Sequence, residues 1–416
     1  MMVKAVSFEI ETSCELYALL HIFRDLANFC LEKGLEKKIT SRFRLIKETY
    51  QEAKKFGLHT HYILSACEVA CSILKNCRRY KKAKKPEVKK LFLKIDNQTY
   101  KLIKKKDSLY LRIPSKPKKF LYIKLKYGDY QRRFLEDKTL KLGSVTVLAN
   151  RIFLCFEKKQ ETAEPKSKVA LDINERNVTS MNEKQAKVYD LTKVLTTHYA
   201  YYLKRKRIQE KVKNRKLRKE LLKKYSGKEK RKVEWLLHNV SKRIVEENPN
   251  SEVIMENLKN IRKFINRRNL RKNKYNGKIQ PHRNKPKKLL RRLNSWNFGK
   301  LQKFIEYKAL WQGNLVSYVN PRGTSSTCPI CGLRSYPNGR LFECECGFKL
   351  NRDLLACINI LKMKGVRFSP DSLTMMSTNY EGERQLIASL LIEPSHKAFI
   401  VQRFKYFFKH NFNREK

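Results

Sequence analysis

Residues Thr324–Gly365 read TSSTCPICGLRSYPNGRLFECECGFKLNRDLLACINILKMKG. Cys328 and Cys331 form a C-x-x-C pair, and after twelve intervening residues Cys344 and Cys346 form a C-x-C pair. Four thiolates in two tight pairs suit tetrahedral Zn²⁺ at about 2.3 Å per bond. Pro329, Gly332 and Gly347 supply the turns that let both pairs wrap one ion. Such a knuckle closes a ribbon that lacks a core of its own, so its role is structural. Asp353 lies seven residues beyond Cys346 and opens DLLACINILK, whose apolar residues fall on one helical face. A carboxylate there either caps the helix or is presented from its rigid end.

Two further acids lie upstream. Asp172 sits in KVALDINERN and Glu256 in SEVIMENLKN. Each follows an apolar run of buried-strand type and stands near its C-terminal end, where open α/β sheets build their sites. Three carboxylates can hold two Mg²⁺ about 3.5–4 Å apart for in-line attack of water on a phosphodiester. Asp172, Glu256 and Asp353 are therefore the candidate catalytic and Mg²⁺-binding residues. Cys328, Cys331, Cys344 and Cys346 are the candidate Zn²⁺ ligands.

The charge balance names the substrate class. The 416 residues carry 94 Lys+Arg against 39 Asp+Glu, a net charge of +55. A compact protein with that excess repels itself unless a polyanion neutralises it, and nucleic acid does so with counterion release. Heat adaptation alone would raise Glu together with Lys. No apolar run approaches the ~18 residues of a membrane span, and the opening MMVKAVSFEIETSCELYALL has no signal-peptide layout. The eleven cysteines lack a disulfide framework: Cys67 and Cys71 share a helix face as small hydrophobes, so a reduced, cytoplasmic setting is expected, nucleoid-associated in a prokaryote. Walker, dinucleotide-binding and G-x-S-x-G motifs are all absent from the sequence, which leaves nucleotide-driven and serine-nucleophile chemistry without support.

Along the chain, Val3–Glu11 alternates as a strand and about Ser13–Tyr80 is helical, ending in the basic run RRYKKAKKPEVKK. Six strand-like runs follow from Leu91 to Glu157, which suggests a small antiparallel barrel with the helical block inserted after its first strand. Glu161–Lys168 reads as a linker. KVALDI, VTSM and KVYDL then form a meander, long basic helices run from about Val194 to Asn248, and SEVIMEN returns as a strand. Arg262–Arg292 is basic, apolar-poor and turn-rich. An amphipathic helix in LNSWNFGKLQKFIEYKALWQG and a strand in LVSYVNP lead to the cysteines. Lys204–Lys232 and Arg262–Arg292 are dense enough to face phosphate, with Tyr225, Trp235, Tyr275 and Trp296 as stacking candidates. Residues 366–416 read as an extension of unknown role.

Taken together, VALDINERNVT, EVIMENLKNIR, LNSWNFGKLQKFIEYKA, VNPRGTSSTCPICG and FECECGFKLNRDLLACINI resemble the RuvC core and zinc ribbon of the TnpB (OrfB) family, insertion-sequence-encoded proteins similar to compact type V CRISPR effectors. The resemblance covers about residues 1–365. It implies an α/β multidomain fold: a wedge-like β-barrel (residues 1–12 and 88–160), a helical recognition domain (13–87), an RNase H-like RuvC core (168–322 and 348–365) and an inserted zinc ribbon (323–347). It also implies an RNA-guided DNA endonuclease whose partners are a guide RNA and double- and single-stranded DNA, with sequence read by the RNA and a short flanking motif by the protein. By position, Asp172 would bridge two Mg²⁺ and Glu256 and Asp353 hold one each. In this chain Ile173-Asn174 follows Asp172, where many members carry Gly two residues after the acid. Two other readings share these residues: a guided but nuclease-silent repressor, which the intact acid triad argues against, and a zinc-ribbon DNA-binding transposon accessory protein that works without RNA.

Overall fold

A computed structural model describes residues 2–77, 86–105, 108–116, 119–159, 164–183, 185–272, 279–283, 285–337, 339–367, 373–378 and 385–390. The chain divides into two compact units, Met1–Gln160 and Glu161–Lys416.

In the first unit β1 (Met2–Glu9) is followed by helices α1 (Cys14–Glu36), α2 (Arg42–Ala53) and α3 (Thr60–Cys77). Ser13 caps α1 by accepting from the Leu16 amide at 3.1 Å, and Leu16, Leu19, Leu20, Phe23 and Leu26 are buried at helical spacing. Cys30, Cys67 and Cys71 are buried and fill the packed space as small hydrophobes. Strands β2 (Leu93–Ile95), β3 (Lys101–Lys105), β4 (Ser108–Lys116) and β5 (Lys119–Leu125) precede the short helix α4 (Asp129–Glu136), then β6 (Lys141–Val147) and β7 (Arg151–Lys158). All six strand runs read from the sequence are strands, whereas α4 is unanticipated; only its Phe134 is buried, so its signal is one residue deep. Pairing gives a four-stranded sheet, β1-β7-β6-β2, and a three-stranded sheet, β3-β4-β5, linked by a bridge between Glu9 and Lys126. The chain's first strand thus pairs along its whole length with β7, some 150 residues away, and the helices occupy the connection between β1 and β2.

The second unit begins with the meander β8 (Ser167–Ile173), β9 (Asn177–Met181) and β10 (Gln185–Asp190). Helices α5 (Thr192–Lys211) and α6 (Arg215–Glu246) follow, then β11 (Ser251–Glu256), α7 (Ile261–Ile265), the hairpin β12 (Arg268–Lys272) and β13 (Ile279–Arg283), α8 (Lys287–Ser295), α9 (Phe298–Trp311) and β14 (Leu315–Val319). The ribbon strands β15 (Leu341–Glu343) and β16 (Lys349–Asn351) lead directly into α10 (Arg352–Lys362). Arg262–Arg292, expected to be turn-rich, contains regular pieces too short for a periodicity to register. Tyr275, the RRYKKAKK run and RFKYFFKHNF lie outside the described residues.

The central sheet runs β14-β11-β8-β9-β10 and continues through β17 (Leu373–Thr378) and β18 (Gln385–Leu390). Part of the expected C-terminal extension therefore joins this sheet, with β17 parallel to β10. β8, β11 and β14 are parallel, whereas β9 is antiparallel to both β8 and β10. Every residue of VALDI is buried, because helices cover both faces of the sheet. On one face Val169, Leu171, Ile173, Val253 and Met255 pack against Val233, Leu237 and Ile244 of α6 and Leu301 and Ile305 of α9. On the other face Ala170 and Ile254 pack against Leu354, Leu355 and Ile358 of α10 and against the ribbon's Phe342, Phe348 and Leu350. Period-two alternation puts Asp172 and Glu256 on this second face. Among the described residues no helix is long and apolar enough to cross a membrane.

Candidate metal centres

The ribbon brings four sulfurs together. Cys328 and Cys346 Sγ are 3.6 Å apart and Cys331 and Cys344 Sγ 3.4 Å, and all four lie within 4.8 Å of one another. A tetrahedron with bonds of about 2.3 Å has edges of about 3.8 Å, whereas a disulfide needs about 2.05 Å. The donors therefore fit Zn²⁺. Gly332 and Gly347 adopt left-handed φ of 76° and 84°, and their amides donate to Cys328 O at 3.0 Å and Cys344 O at 2.9 Å. A side chain at either position would strain the turn that aims its cysteine pair.

Phe342 and Leu350 tie the ribbon to the core beneath α10. Asn351 caps that helix, accepting from the Asp353 amide at 2.9 Å. The N-cap is therefore Asn351, and Asp353 sits within the first turn, 2% exposed.

Asp172 and Glu256 stand on adjacent parallel strands: Leu171 is in register with Met255, so the two acids occupy the next rung. α10 packs across β8, β9 and β11 and delivers Asp353 to the same face. Burial pushes the Asp172 carboxyl well above the usual range, and the negative charges of Asp353 and then Glu256 add to it, partly offset by a hydrogen bond from Asn174 and by the positive charge of Arg352. Glu256 is raised mainly by burial, opposed by a hydrogen bond from Thr324. Like charges gathered in a low-dielectric place are unfavourable, and the two guanidinium groups near them, Arg340 and Arg352, both pair with Asp353. Among the described residues only the cysteines bring three or more ligand atoms within 4.8 Å, so the carboxylates are more widely spread.

Four residues to which the sequence reading gave no role at the site hold these acids. Asn174 Nδ2 donates to Asp172 Oδ2 at 2.7 Å, and Thr324 Oγ1 donates to Glu256 Oε1 at 2.6 Å. Asn177 Nδ2 donates to Asp353 Oδ2 at 3.2 Å, an oxygen that also accepts from the Arg340 guanidinium. Asp353 Oδ1 has no protein hydrogen-bond partner, its nearest recorded cation being Arg352 Nε at 3.9 Å. An all-oxygen, electron-rich, incompletely satisfied set fits a hard divalent cation. Only Asn174 carried a usable signal, being two residues beyond Asp172 and hence on its face.

A groove of about 690 Å³ lies between α5, α6 and α8, lined in part by Arg176, Tyr199, Tyr202, Lys288 and Arg291. The Arg291 guanidinium lies 3.7 Å from the centre of the Tyr202 ring, and Tyr199 is 54% exposed. Of the stacking candidates, Tyr225 is covered by Lys204 at 4.3 Å and Trp235 is 60% exposed. Trp296 packs on Phe298 and donates to Asn174 O at 3.0 Å.

Residues 298–360 match the family described as Cas12f1-like, TNB domain, and residues 19–113 the uncharacterized protein MJ0013 family. The chain is 38% identical over 285 residues to a TnpB-like protein of Methanocaldococcus jannaschii, covering 64% of this chain and 96% of that protein. It is 33% identical over 140 residues to the CRISPR-associated endodeoxyribonuclease Cas12f2 of Micrarchaeota archaeon, covering 31% of this chain and 23% of that protein. Its fold is similar to that of the mini-RNA-guided endonuclease CRISPR-Cas_phi3, with a TM-score of 0.52 and 11% identity over 88% of this chain and 93% of that one.

Proposed function

Since the chain belongs to the TnpB-like family, we propose that it is an RNA-guided DNA endonuclease with an RNase H-like RuvC core, a structural Zn²⁺ and catalytic Mg²⁺. One observation carries the reading: Asp172 and Glu256 on neighbouring parallel strands and Asp353 on the helix that crosses them share one buried face. The strand order β14-β11-β8-β9-β10, with only β9 reversed relative to β8, supports the RNase H-like assignment. The names of its relatives point the same way.

When bound, divalent cations at such carboxylates activate water and stabilise the charge that develops on a phosphodiester. The chain's own groups prepare that site. Asn174 and Thr324 each hold one oxygen of the Asp172 and Glu256 carboxylates, which would leave the other oxygen of each for a cation. Arg340, whose side chain is 37% exposed, balances Asp353 and offers a planar fork to phosphate at the open side. The ribbon keeps the first turn of α10, and so Asp353, in place. Basic α5 and α6 and the Tyr199–Tyr202–Arg291 groove hold nucleic acid by phosphate neutralisation and stacking. In the first unit the strands and α1–α3 serve as the wedge and recognition parts, and pairing with the guide supplies sequence choice. The protein acts in the cytoplasm, on the nucleic acid of its host.

The test uses protein purified from cells with its bound RNA. Sequencing that RNA defines a matching duplex, which wild-type protein cuts with Mg²⁺ and Asp172→Ala does not, while both retain RNA. Unchanged cutting by Asp172→Ala removes the active-site assignment. Absence of a discrete RNA leaves the zinc-ribbon DNA-binding reading.

A further inference from the structure

The hairpin of β8 and β9 presents more than Asp172 to the buried face. Asp172 pairs with Thr179, and the turn closes where the Asn174 amide donates to Asn177 O at 2.9 Å. Alternation aims Ile173 and Val178 into the opposite core, so Asp172, Asn174, Asn177 and Thr179 occupy two successive rungs of the site face. Four polar side chains on one face of a buried hairpin need partners.

The two asparagines each donate to an acid, but several oxygens on this face are left unpaired. Asn174 gives an N–H to Asp172 and Asn177 gives one to Asp353. Asn177 Oδ1, Thr179 Oγ1 and Asp353 Oδ1 have no protein hydrogen-bond partner, although the three residues are only 2%, 1% and 2% exposed. Buried polar atoms are nearly always satisfied, and unmet ones gathered in one place call for a water or an ion. The orientation of the Asn177 amide is not arbitrary, because turning it would set its carbonyl against the Asp353 carboxylate. Its oxygen is therefore left without a partner on the amide that holds Asp353, and although Arg340 and Arg352 flank Asp353, a cation bound there would satisfy that oxygen and relieve Asp172 as well.

We propose that Asn177 completes the divalent-cation site, its amide N–H holding Asp353 while its Oδ1 joins the oxygen donors of Asp172 and Asp353. Thr179 Oγ1 holds a water of the ion's shell. This inference rests on the three-carboxylate reading above and adds a residue to it.

The experiment titrates Mn²⁺ into the full-length, zinc-loaded protein without nucleic acid and follows free Mn²⁺ by electron paramagnetic resonance. Asn177→Leu, close in size but without the oxygen, weakens binding roughly tenfold or more. Asn177→Asp keeps an oxygen while losing the N–H, and binds Mn²⁺ at least as tightly as wild type. Binding by Asn177→Leu within twofold of wild type overturns the inference. Equal losses in both variants also overturn it, since Asn177 would then act only by holding Asp353. If Asn177→Leu does not fold, Asn177→Ser, too short to reach, is read by the same criteria. Asp172→Ala separates the two layers: retained Mn²⁺ binding there sinks the carboxylate reading itself, whereas loss there with normal binding by Asn177→Leu sinks the Asn177 inference alone.

Discussion

The Thr324 hydroxyl donates to Glu256 Oε1 at 2.6 Å. Thr324 is 2% exposed, and its carbonyl accepts from the Asn359 side chain of α10 at 2.7 Å. The residue that opens the ribbon segment thus joins the acid on β11 to the helix that bears Asp353. Removing the hydroxyl removes a contact that favours ionised Glu256, whose carboxyl burial already raises. Thr324→Val should therefore move the acid limb of the cleavage pH profile to higher pH, slowing cutting near neutrality about tenfold with partial recovery in alkali. An unshifted limb would mean that Thr324 does not tune Glu256.

Asp172 places function against stability. Burial first, then Asp353 and Glu256, raises its carboxyl, so the folded state binds the proton more tightly than the unfolded chain. The stabilisation from that proton is fully present in acid and lost as pH rises through the folded-state value. In Mg²⁺-free buffer with zinc retained, Asp172→Asn should melt several degrees above wild type at pH 7–8, the gap closing toward pH 4. A lower melting temperature for the variant at neutral pH would contradict this.

Zinc underlies the ribbon and, through it, the site. β15 and β16 are three residues each and have no core apart from Phe342, Phe348 and Leu350 against α10. Cys328→Ala should lose stoichiometric zinc, lower the melting temperature, and raise protease cleavage between about residues 325 and 350. Retention of wild-type stability without zinc, read by metal analysis and melting on one sample, would contradict a structural role.

The groove separates charge from stacking. Arg291→Gln should lower the slope of log affinity against log salt for single-stranded nucleic acid by about one. Tyr199→Ala should leave that slope unchanged and weaken binding by about 1–3 kcal/mol. Filter binding across a salt series distinguishes them, and two variants without effect would place the strand elsewhere.

What could be read beforehand followed from local patterns. VALDI and EVIMEN announced buried strands because each is apolar on both faces, and DLLACINILK announced a helix through apolar residues at helical spacing, although its burial runs unbroken from Asp353 to Leu361 and is not confined to the one face expected. C-x-x-C and C-x-C announced the sulfur cluster. Contacts between distant residues left no such trace. Asn177 meets Asp353 across 176 positions, and Arg340 reaches the same carboxylate from a turn that looks like any exposed basic loop. β17 was read as part of an appended tail because parallel pairing with β10 is a property of the sheet edge. In Arg262–Arg292, α8 rests on a single buried residue, Leu290, too little to outweigh the surrounding charge in a periodicity.

The central claim is that Asp172, Glu256 and Asp353 together hold divalent metal. The most direct measurement is anomalous scattering from crystals of the zinc-loaded protein soaked in Mn²⁺. The account predicts one or two Mn²⁺ peaks at about 2.1–2.2 Å from oxygens of these carboxylates, apart from the zinc peak among the four cysteines. A fully occupied Mn²⁺ that touches none of the three, or a soak at saturating Mn²⁺ that leaves this face without a peak, would contradict it.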